Sequence, residues 1–199
     1  MIGVVFGSGT SLDLLPAKFF DHLKSLEHYS FGVNRVVLSK RLQDADYRCH
    51  IYGGWDTPTG TEMDEARKVA YKSHHCFYLN GDWGVPSLKT QIIPLHNSCE
   101  WAARILVQEH KCDEIWLIGC EGIGPHCKTL PYFDPYKTNC DMTFVRGGFI
   151  DTAIPCAWKR TVEDLKVPFR IYPHWSLLHP YIVEKAIHLT EGGKEIVFE

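Results

Sequence analysis

A loop of small and hydroxylated residues follows the first apolar run of the sequence. Residues 2–6 (IGVVF) are rich in β-branched and aromatic side chains and predict a short buried strand. Residues 7–11 (GSGTS) come directly after it. The glycines let the backbone turn and leave room for a ligand, and the three hydroxyls can cap a helix or bind a phosphate or ribose. The loop therefore predicts either a nucleotide site or a tight strand-to-helix turn.

Polar side chains also follow three other predicted strands. Asn34 ends the second strand, and its amide offers both a donor and an acceptor to a base or a sugar. Asparagine is also common in turns that bind nothing. Asp56 follows the third predicted strand, and Glu121 follows the apolar run at residues 115–118. Because parallel strands end at one edge of a sheet, we expect these side chains to lie near the Gly-Ser loop.

Strands and helices alternate along the chain. This order, with a continuous apolar strand in its centre and no hairpin signal, favours βαβ units. The sequence therefore predicts an α/β fold, a three-layer Rossmann-like domain with a mostly parallel central sheet. Strands are predicted at residues 2–6, 31–34, 46–55, 76–79, 91–93, 115–118, 169–172 and 195–198. Helices are predicted at residues 12–29, 62–73, from Ser98 onward, 149–164 and 181–189.

Length and composition restrict the function classes. A chain of 199 residues predicts one domain, residues 1–199, with a core of ordinary size. Its net charge of -3 gives no electrostatic footprint for nucleic acid or for an anionic membrane surface. We find no apolar stretch near the roughly 20 residues that span a membrane, and no signal-peptide core. We therefore expect a cytoplasmic protein whose partner is a small molecule, and a homo-oligomer is possible.

The eight cysteines contain no C-x-x-C pair. In a cytosolic chain of this size they are expected to be reduced, half-buried thiols rather than disulfides. Two local clusters, His74-His75-Cys76 and His126-Cys127, lack the paired spacing that a four-ligand zinc site needs. The sequence therefore predicts no metal site.

Three segments in a fixed order resemble a known family. These are FGSGTSL with a downstream GVN, EIWLIGCEG after a helix opened by a serine, and IYPHWSLL. Together they resemble the bacterial lipooligosaccharide sialyltransferases of glycosyltransferase family 42. They also resemble the wider Rossmann-like group that contains the motility-associated accessory factors and the hydroxymethylpterin pyrophosphokinases. The resemblance implies one α/β domain that binds a nucleotide, CMP-linked or otherwise, at the carboxyl edge of the sheet. It implies no cofactor besides the nucleotide-sugar donor.

The resemblance also implies particular binding residues. The first loop would line the phosphate and ribose, although a serine stands where the family has asparagine. The residue after the second strand would contact the nucleotide or sugar, and the serine opening the helix would lie near the ribose or base. The acid after the central strand and the serine of the last turn have family counterparts. The implied residues are Gly7, Ser8, Gly9, Ser11, Asn34, Ser98, Glu121 and Ser176.

Glycosyl transfer also needs groups that hold the departing phosphate, a general base and exclusion of water. Residues 122–150 form a long segment rich in proline and glycine, which predicts a lid or an active-site loop. Within it, the resemblance matches Tyr132 and Tyr136 to the two tyrosines that hold the departing phosphate in the sialyltransferases. His126 is the candidate base, because imidazole titrates near neutral pH, and Asp134 is the second candidate.

Two other functions fit parts of the same pattern. A pyrophosphokinase-like phosphotransferase would use Mg²⁺ and ATP, with Asp56 and Glu121 as the carboxylates that hold the metal. A nucleotide-binding module without chemistry is the third reading, because Arg-Gly-Gly at residues 146–148 stands where the family has its catalytic histidine. The leading hypothesis remains a small, metal-independent, nucleotide-sugar-dependent glycosyltransferase.

Overall fold

The computed structural model describes residues 1–9, 11–54, 62–70, 75–78, 98–120, 154–172, 185–189 and 196–198. Within these residues, eight strands form one sheet in the order β4-β3-β2-β1-β5-β6-β7-β8. The strands are β1 Ile2–Phe6, β2 His28–Val33, β3 Ile51–Gly54, β4 His75–Tyr78, β5 Glu114–Ile118, β6 Phe169–Tyr172, β7 Lys185–Leu189 and β8 Ile196–Phe198. The helices are α1 Ser11–Leu14, α2 Ala17–Ser25, a 3-10 helix Asn34–Leu38, α3 Lys40–Asp44, α4 Glu62–Ala70, α5 Ser98–Gln108 and α6 Ile154–Leu165.

The sheet is parallel except at one edge. Strand β1 lies between β2 and β5 and is parallel to both, with Val4 opposite Ser30 on one side and Trp116 on the other. The pairs continue in parallel outward to β4 and to β7, and only β8 runs antiparallel to its neighbour. The predicted α/β fold with a mostly parallel sheet is therefore confirmed.

Alternate residues of β1 enter two different cores. Val4 and Phe6 belong to the cluster that α2 covers with Phe19, whereas Val5 belongs to the cluster that α5 covers with Ala102. Side chains of a strand alternate between faces, so this pattern places helices on both sides of the sheet. The result is the three-layer arrangement that the sequence predicts. That the whole chain forms one domain stays a prediction.

The strand order changes direction between β1 and β5. From β1 the chain passes through α1 and α2 to β2 on one side, and α5 leads into β5 on the other. In open α/β sheets, a crevice forms at this point outside the carboxyl ends of the two strands, and ligands bind there. A ligand site is therefore expected among the residues that follow β1 and β5.

The predicted helix at residues 12–29 is wrong in its continuity and its end. Pro16 has an extended backbone (φ -70°, ψ 153°), and a separate helix, α2, begins after it. Proline lacks an N–H and restricts the residue before it, which stops α1. At the other end, Tyr29 belongs to β2, opposite Gly3. Pairing with β1 therefore shortens α2 at its carboxyl end.

The predicted helix at residues 181–189 is also wrong, because Lys185–Leu189 forms β7. A short segment of mixed polarity fits either a helix or a strand by its local pattern. Backbone hydrogen bonds to β6 and β8 decide in favour of the strand. The predicted edge strand at residues 195–198 is confirmed as β8, Ile196–Phe198. The predicted lid at residues 122–150 and the predicted strand at residues 91–93 lie outside the described residues.

We expect Cys49 and Cys112 to resist alkylation in the folded protein. Burial raises the pKa of the Cys49 thiol from its ordinary 9.0 to about 12 and that of Cys112 to about 11. The thiolate is the reactive form, so the half-buried Cys99 should react with iodoacetamide at pH 8 before Cys49 and Cys112 do. Site-resolved mass spectrometry of native and urea-unfolded protein measures this. Equal labelling of Cys49 and Cys99 in the native protein would contradict it.

Cys49 also makes the free energy of unfolding depend on pH. Unfolding returns Cys49 to its ordinary pKa, so the unfolded state ionises first as the pH rises. The contribution of Cys49 to stability is therefore complete below about pH 9 and is lost as the pH approaches about 12. Urea unfolding at pH 8 and pH 10.5, with Cys49→Ala as the comparison, should show a smaller pH effect in the variant.

Candidate functional site

The loop after β1 and the turn after β5 are joined by backbone hydrogen bonds at the crevice. The N–H of Gly7 donates to the Ile118 carbonyl at 2.7 Å, and the N–H of Gly9 donates to the Gly119 carbonyl at 2.7 Å. The β1–β5 ladder therefore continues past the ends of both strands. This fixes the path of the Gly-Ser loop across the carboxyl edge of the sheet.

Two glycines make this close approach possible. A β-carbon on Gly7 would overlap the carbonyl oxygen of Gly119 and lie 2.8 Å from the Cys120 sulfur. A β-carbon on Gly119 would overlap the carbonyl oxygen of Gly7, and Gly119 also has a left-handed backbone (φ +68°). The sequence predicts that Gly7 leaves room for a ligand, but in the structure it leaves room for the neighbouring turn.

Ser8 and Ser11 of the first loop are buried. Ser8 is 8% exposed, and its hydroxyl donates to the Val33 carbonyl at 3.4 Å, which links the loop to the end of β2. Ser11 is fully buried at the start of α1. The loop closes on itself through the N–H of Leu12, which donates to the Gly9 carbonyl at 3.1 Å. The hydroxyl of Ser8 therefore lies at the edge where β1 and β2 end.

Asn34 follows β2 in a left-handed conformation and lies against the last residue of β3. Its φ is 55°, a left-handed conformation that is uncommon for residues with a side chain but that asparagine adopts more readily than most. A β-carbon on Gly54 would overlap the Asn34 side-chain oxygen, and Gly54 has a φ of +147°. Gly54 thus leaves room for the Asn34 amide. This role could not be predicted from the sequence, in which the only signal is the Gly-Gly pair before Asp56.

A buried cation follows Asn34 directly. Arg35 is 8% exposed, and its Nη2 lies 3.5 Å from the Oε2 of Glu62, the first residue of α4. Because α4 follows β3, both residues lie at the carboxyl edge of the sheet. Sequence reasoning missed this pair as well, because a single arginine after a strand has no motif that distinguishes it from a surface charge.

Helix α5 begins at the same edge, since it precedes the parallel strand β5. Ser98, its first residue, is 6% exposed. Two residues further on, Glu100 accepts a hydrogen bond from the Thr161 hydroxyl of α6. Arg104 donates to Thr161 and to Asp164 at 2.9 Å each, and its Nη2 lies 3.9 Å from Glu100. This network connects the two helices that cover one face of the sheet.

The structure thus brings Gly7, Ser8, Gly9 and Asn34 to one edge, with Ser11 buried beside the loop and Ser98 opening a helix at that edge. Within the described residues, no group of three or more histidine, cysteine or acidic side chains could hold a metal ion. In the same part of the chain, no helix has the length and apolar character to cross a membrane. The remaining candidate residues lie outside the described residues: Asp56, Glu121, His126, Tyr132, Asp134, Tyr136 and Ser176.

No protein-family model matches the sequence, and comparison with curated proteins gives no match. Comparison with solved structures does. The fold is similar to that of a sialyltransferase. The sialyltransferase CST-II, solved with a trisaccharide acceptor and CMP, has a TM-score of 0.51 and 12% sequence identity, over 100% of this chain and 90% of that one. At this identity the similarity shows the fold alone.

A second similar structure is thiamine pyrophosphokinase from Bacillus subtilis, with a TM-score of 0.47 and 16% identity. The match covers 85% of this chain and 59% of that enzyme, so this chain spans well under two thirds of its length. The similarity to CST-II confirms, for the fold, the resemblance stated from the sequence.

Proposed function

We propose that this chain binds a nucleotide at the carboxyl ends of β1, β2 and β5. The observation that carries the proposal is the contact of Gly7 with Gly119 where the strand order reverses. It holds two turns together at the crevice where open α/β sheets bind ligands. Ser8 and Asn34 add a hydroxyl and an amide to the same edge. Both can hydrogen-bond a ribose, a base or a phosphate.

We further propose that the bound nucleotide carries a sugar that the protein transfers. CST-II was solved with CMP and a trisaccharide, so CMP is the first nucleotide to test. In this proposal Ser98 and Ser176 contact the nucleotide, and Tyr132 and Tyr136 hold the departing phosphate. His126 accepts the proton of the attacking hydroxyl, with Asp134 as the second candidate. The roles of the serines and tyrosines are those that the resemblance to the sialyltransferases implies, and His126 and Asp134 are proposed from the chemistry of their side chains.

Turnover distinguishes this reaction from its competitors. Purified protein with a CMP-linked sugar and an oligosaccharide acceptor should release CMP in the presence of EDTA, because no metal enters the proposed reaction. CMP release can be followed with a coupled assay, and the extended acceptor can be identified by mass spectrometry. Binding of ATP only with Mg²⁺, with no CMP binding, would support a phosphotransferase instead. CMP binding without release from any donor would leave a nucleotide-binding module.

Asn34→Gly should weaken nucleotide binding without destabilising the fold. Glycine adopts φ 55° without strain, which offsets its greater freedom in the unfolded chain. We expect the melting temperature to change by less than about 4 °C, because 1 kcal/mol corresponds to about 2–4 °C at this size. Loss of one or two hydrogen bonds to a charged ligand should raise the Kd for CMP about 10- to 100-fold.

Lys166→Gly is the matched control for this variant. Lys166 has the same φ of 55° but lies between α6 and β6, at the opposite edge of the sheet. It should therefore leave CMP binding unchanged. Isothermal titration calorimetry of the two variants and the wild type measures the difference. Equal affinities of the two variants for CMP would remove Asn34 from the binding site.

A further inference from the structure

Arg35 is a buried guanidinium at the edge where the ligand is proposed to bind. It follows Asn34 directly and is 8% exposed. Two residues before it, the Val33 carbonyl accepts the hydrogen bond from Ser8 of the first loop. Arg35 is therefore attached to the backbone segment that contacts the Gly-Ser loop. A guanidinium at this depth requires a counter-charge, because burial of an unpaired charge is costly.

Glu62 supplies that counter-charge, but the two charged groups are farther apart than in a close ion pair. The Nη2 of Arg35 and the Oε2 of Glu62 are 3.5 Å apart, whereas charge-assisted hydrogen bonds between nitrogen and oxygen measure about 2.7–2.9 Å. The two side chains also differ in exposure, 10% for Arg35 and 25% for Glu62. Glu62 is thus the more exposed partner of the pair, although its Oε2 atom is itself buried.

We propose that Arg35 binds the phosphate of the nucleotide, and that Glu62 occupies the guanidinium until the phosphate replaces it. Arginine suits this role because its planar donors match a phosphate in two parallel hydrogen bonds. The proposal rests on the proposed nucleotide site and adds a phosphate-specific contact to it. It also predicts competition, since Glu62 and the phosphate bind the same group. Removing the charge of Glu62 should therefore tighten phosphate binding.

The test compares CMP with cytidine, which lacks the phosphate, in four proteins. Glu62→Gln should lower the Kd for CMP about 3- to 10-fold and leave the Kd for cytidine unchanged. Arg35→Lys retains the charge but loses the paired donors, and it should raise the Kd for CMP at least 10-fold with less than a twofold effect on cytidine. Glu65→Gln is the control, because Glu65 lies on the same helix α4, exposed and paired with Lys68. It should behave as the wild type.

Two results would overturn the proposal. One is a Glu62→Gln variant that binds CMP no more tightly than Glu65→Gln does. The other is an Arg35→Lys variant that loses CMP and cytidine equally, which would mean that Arg35 only supports the fold. The melting temperature of each variant identifies a folding defect. Because Glu62→Gln is expected to gain affinity, it tests the competition even where Arg35→Lys is unstable.

Pyrophosphate separates this inference from the proposed function. If neither CMP nor cytidine binds the wild type, the proposed nucleotide site fails. Pyrophosphate should still raise the melting temperature of the wild type if Arg35 binds phosphate. The shift should be larger in Glu62→Gln and absent in Arg35→Lys. No shift by pyrophosphate in any of the proteins, together with no CMP binding, would overturn both proposals.

Discussion

Gly119→Ala is expected to lower the melting temperature by about 6–12 °C. The new β-carbon would overlap the carbonyl oxygen of Gly7, which is part of the backbone and cannot rotate away. A φ of +68° adds strain, because a left-handed conformation costs an alanine about 1–2 kcal/mol. Overpacking typically costs about 1–3 kcal/mol more. A total near 3 kcal/mol gives the expected shift at this chain length.

Gly3→Ala provides the comparison on the same pair of strands. Its β-carbon would lie 2.6 Å from the Cδ1 of Ile115, the end of a side chain that can rotate. Gly3 is at the other end of β1, away from the carboxyl edge. We expect a loss of about 1 kcal/mol, in the lower part of the range for overpacking, and unchanged CMP binding. Differential scanning calorimetry of both variants measures the contrast. Equal losses would mean that the turn after β5 can move to accommodate a methyl group.

Arg104→Met is expected to destabilise the protein by about 3 kcal/mol. Glu100 is 2% exposed, and the substitution removes the guanidinium 3.9 Å from its carboxylate. Removing one partner of a buried ion pair leaves a charge in a poor environment and typically costs about 3–5 kcal/mol. It also removes the hydrogen bonds from Arg104 to Thr161 and to Asp164. Chemical denaturation in urea measures the loss.

Two further variants test the cause. Lys68→Met breaks the exposed pair with Glu65, 2.7 Å apart, and should leave the free energy of unfolding nearly unchanged, because an exposed ion pair contributes little to stability. The double variant Glu100→Gln/Arg104→Met should lose less free energy of unfolding than the sum of the losses of Glu100→Gln and Arg104→Met measured separately. In that double variant the amide can still accept the Thr161 hydrogen bond, and no buried charge remains. Strict additivity would show that Arg104 contributes by packing rather than by charge.

Continuous apolar runs allowed the central strands to be predicted. The runs of β1 and β5 are buried from Gly3 and Ile115 onward, and the predicted strand at residues 2–6 has the bounds of β1. In a central parallel strand both faces are covered, so nearly every residue is apolar and the pattern has one interpretation. Residues 185–189 lack such a run. These residues form β7 because their backbone pairs with β6 and β8, and no pattern within residues 185–189 indicates that pairing.

Parts of the candidate site could be predicted where the end of a strand is followed by residue types that favour turns, such as glycine, serine and asparagine. Glycine and serine after a strand indicated the loop at residues 7–11, and Asn34 indicated the end of β2. Gly119 appeared only as one of several small residues, because its contact with Gly7 joins positions far apart in the chain. The ion pair of Arg35 could not be predicted, since nothing next to it in sequence indicates that Glu62 is its partner.

The α/β class, the positions of the central strands and the loop that follows β1 could all be predicted from the sequence. They depend on local composition and on the conformations that glycine and proline permit. The strand order could not, and with it came the contact of Gly7 with Gly119, the position of Asn34 against Gly54 and the burial of Arg35. Those properties depend on hydrogen bonds and packing between distant segments, which no local pattern records.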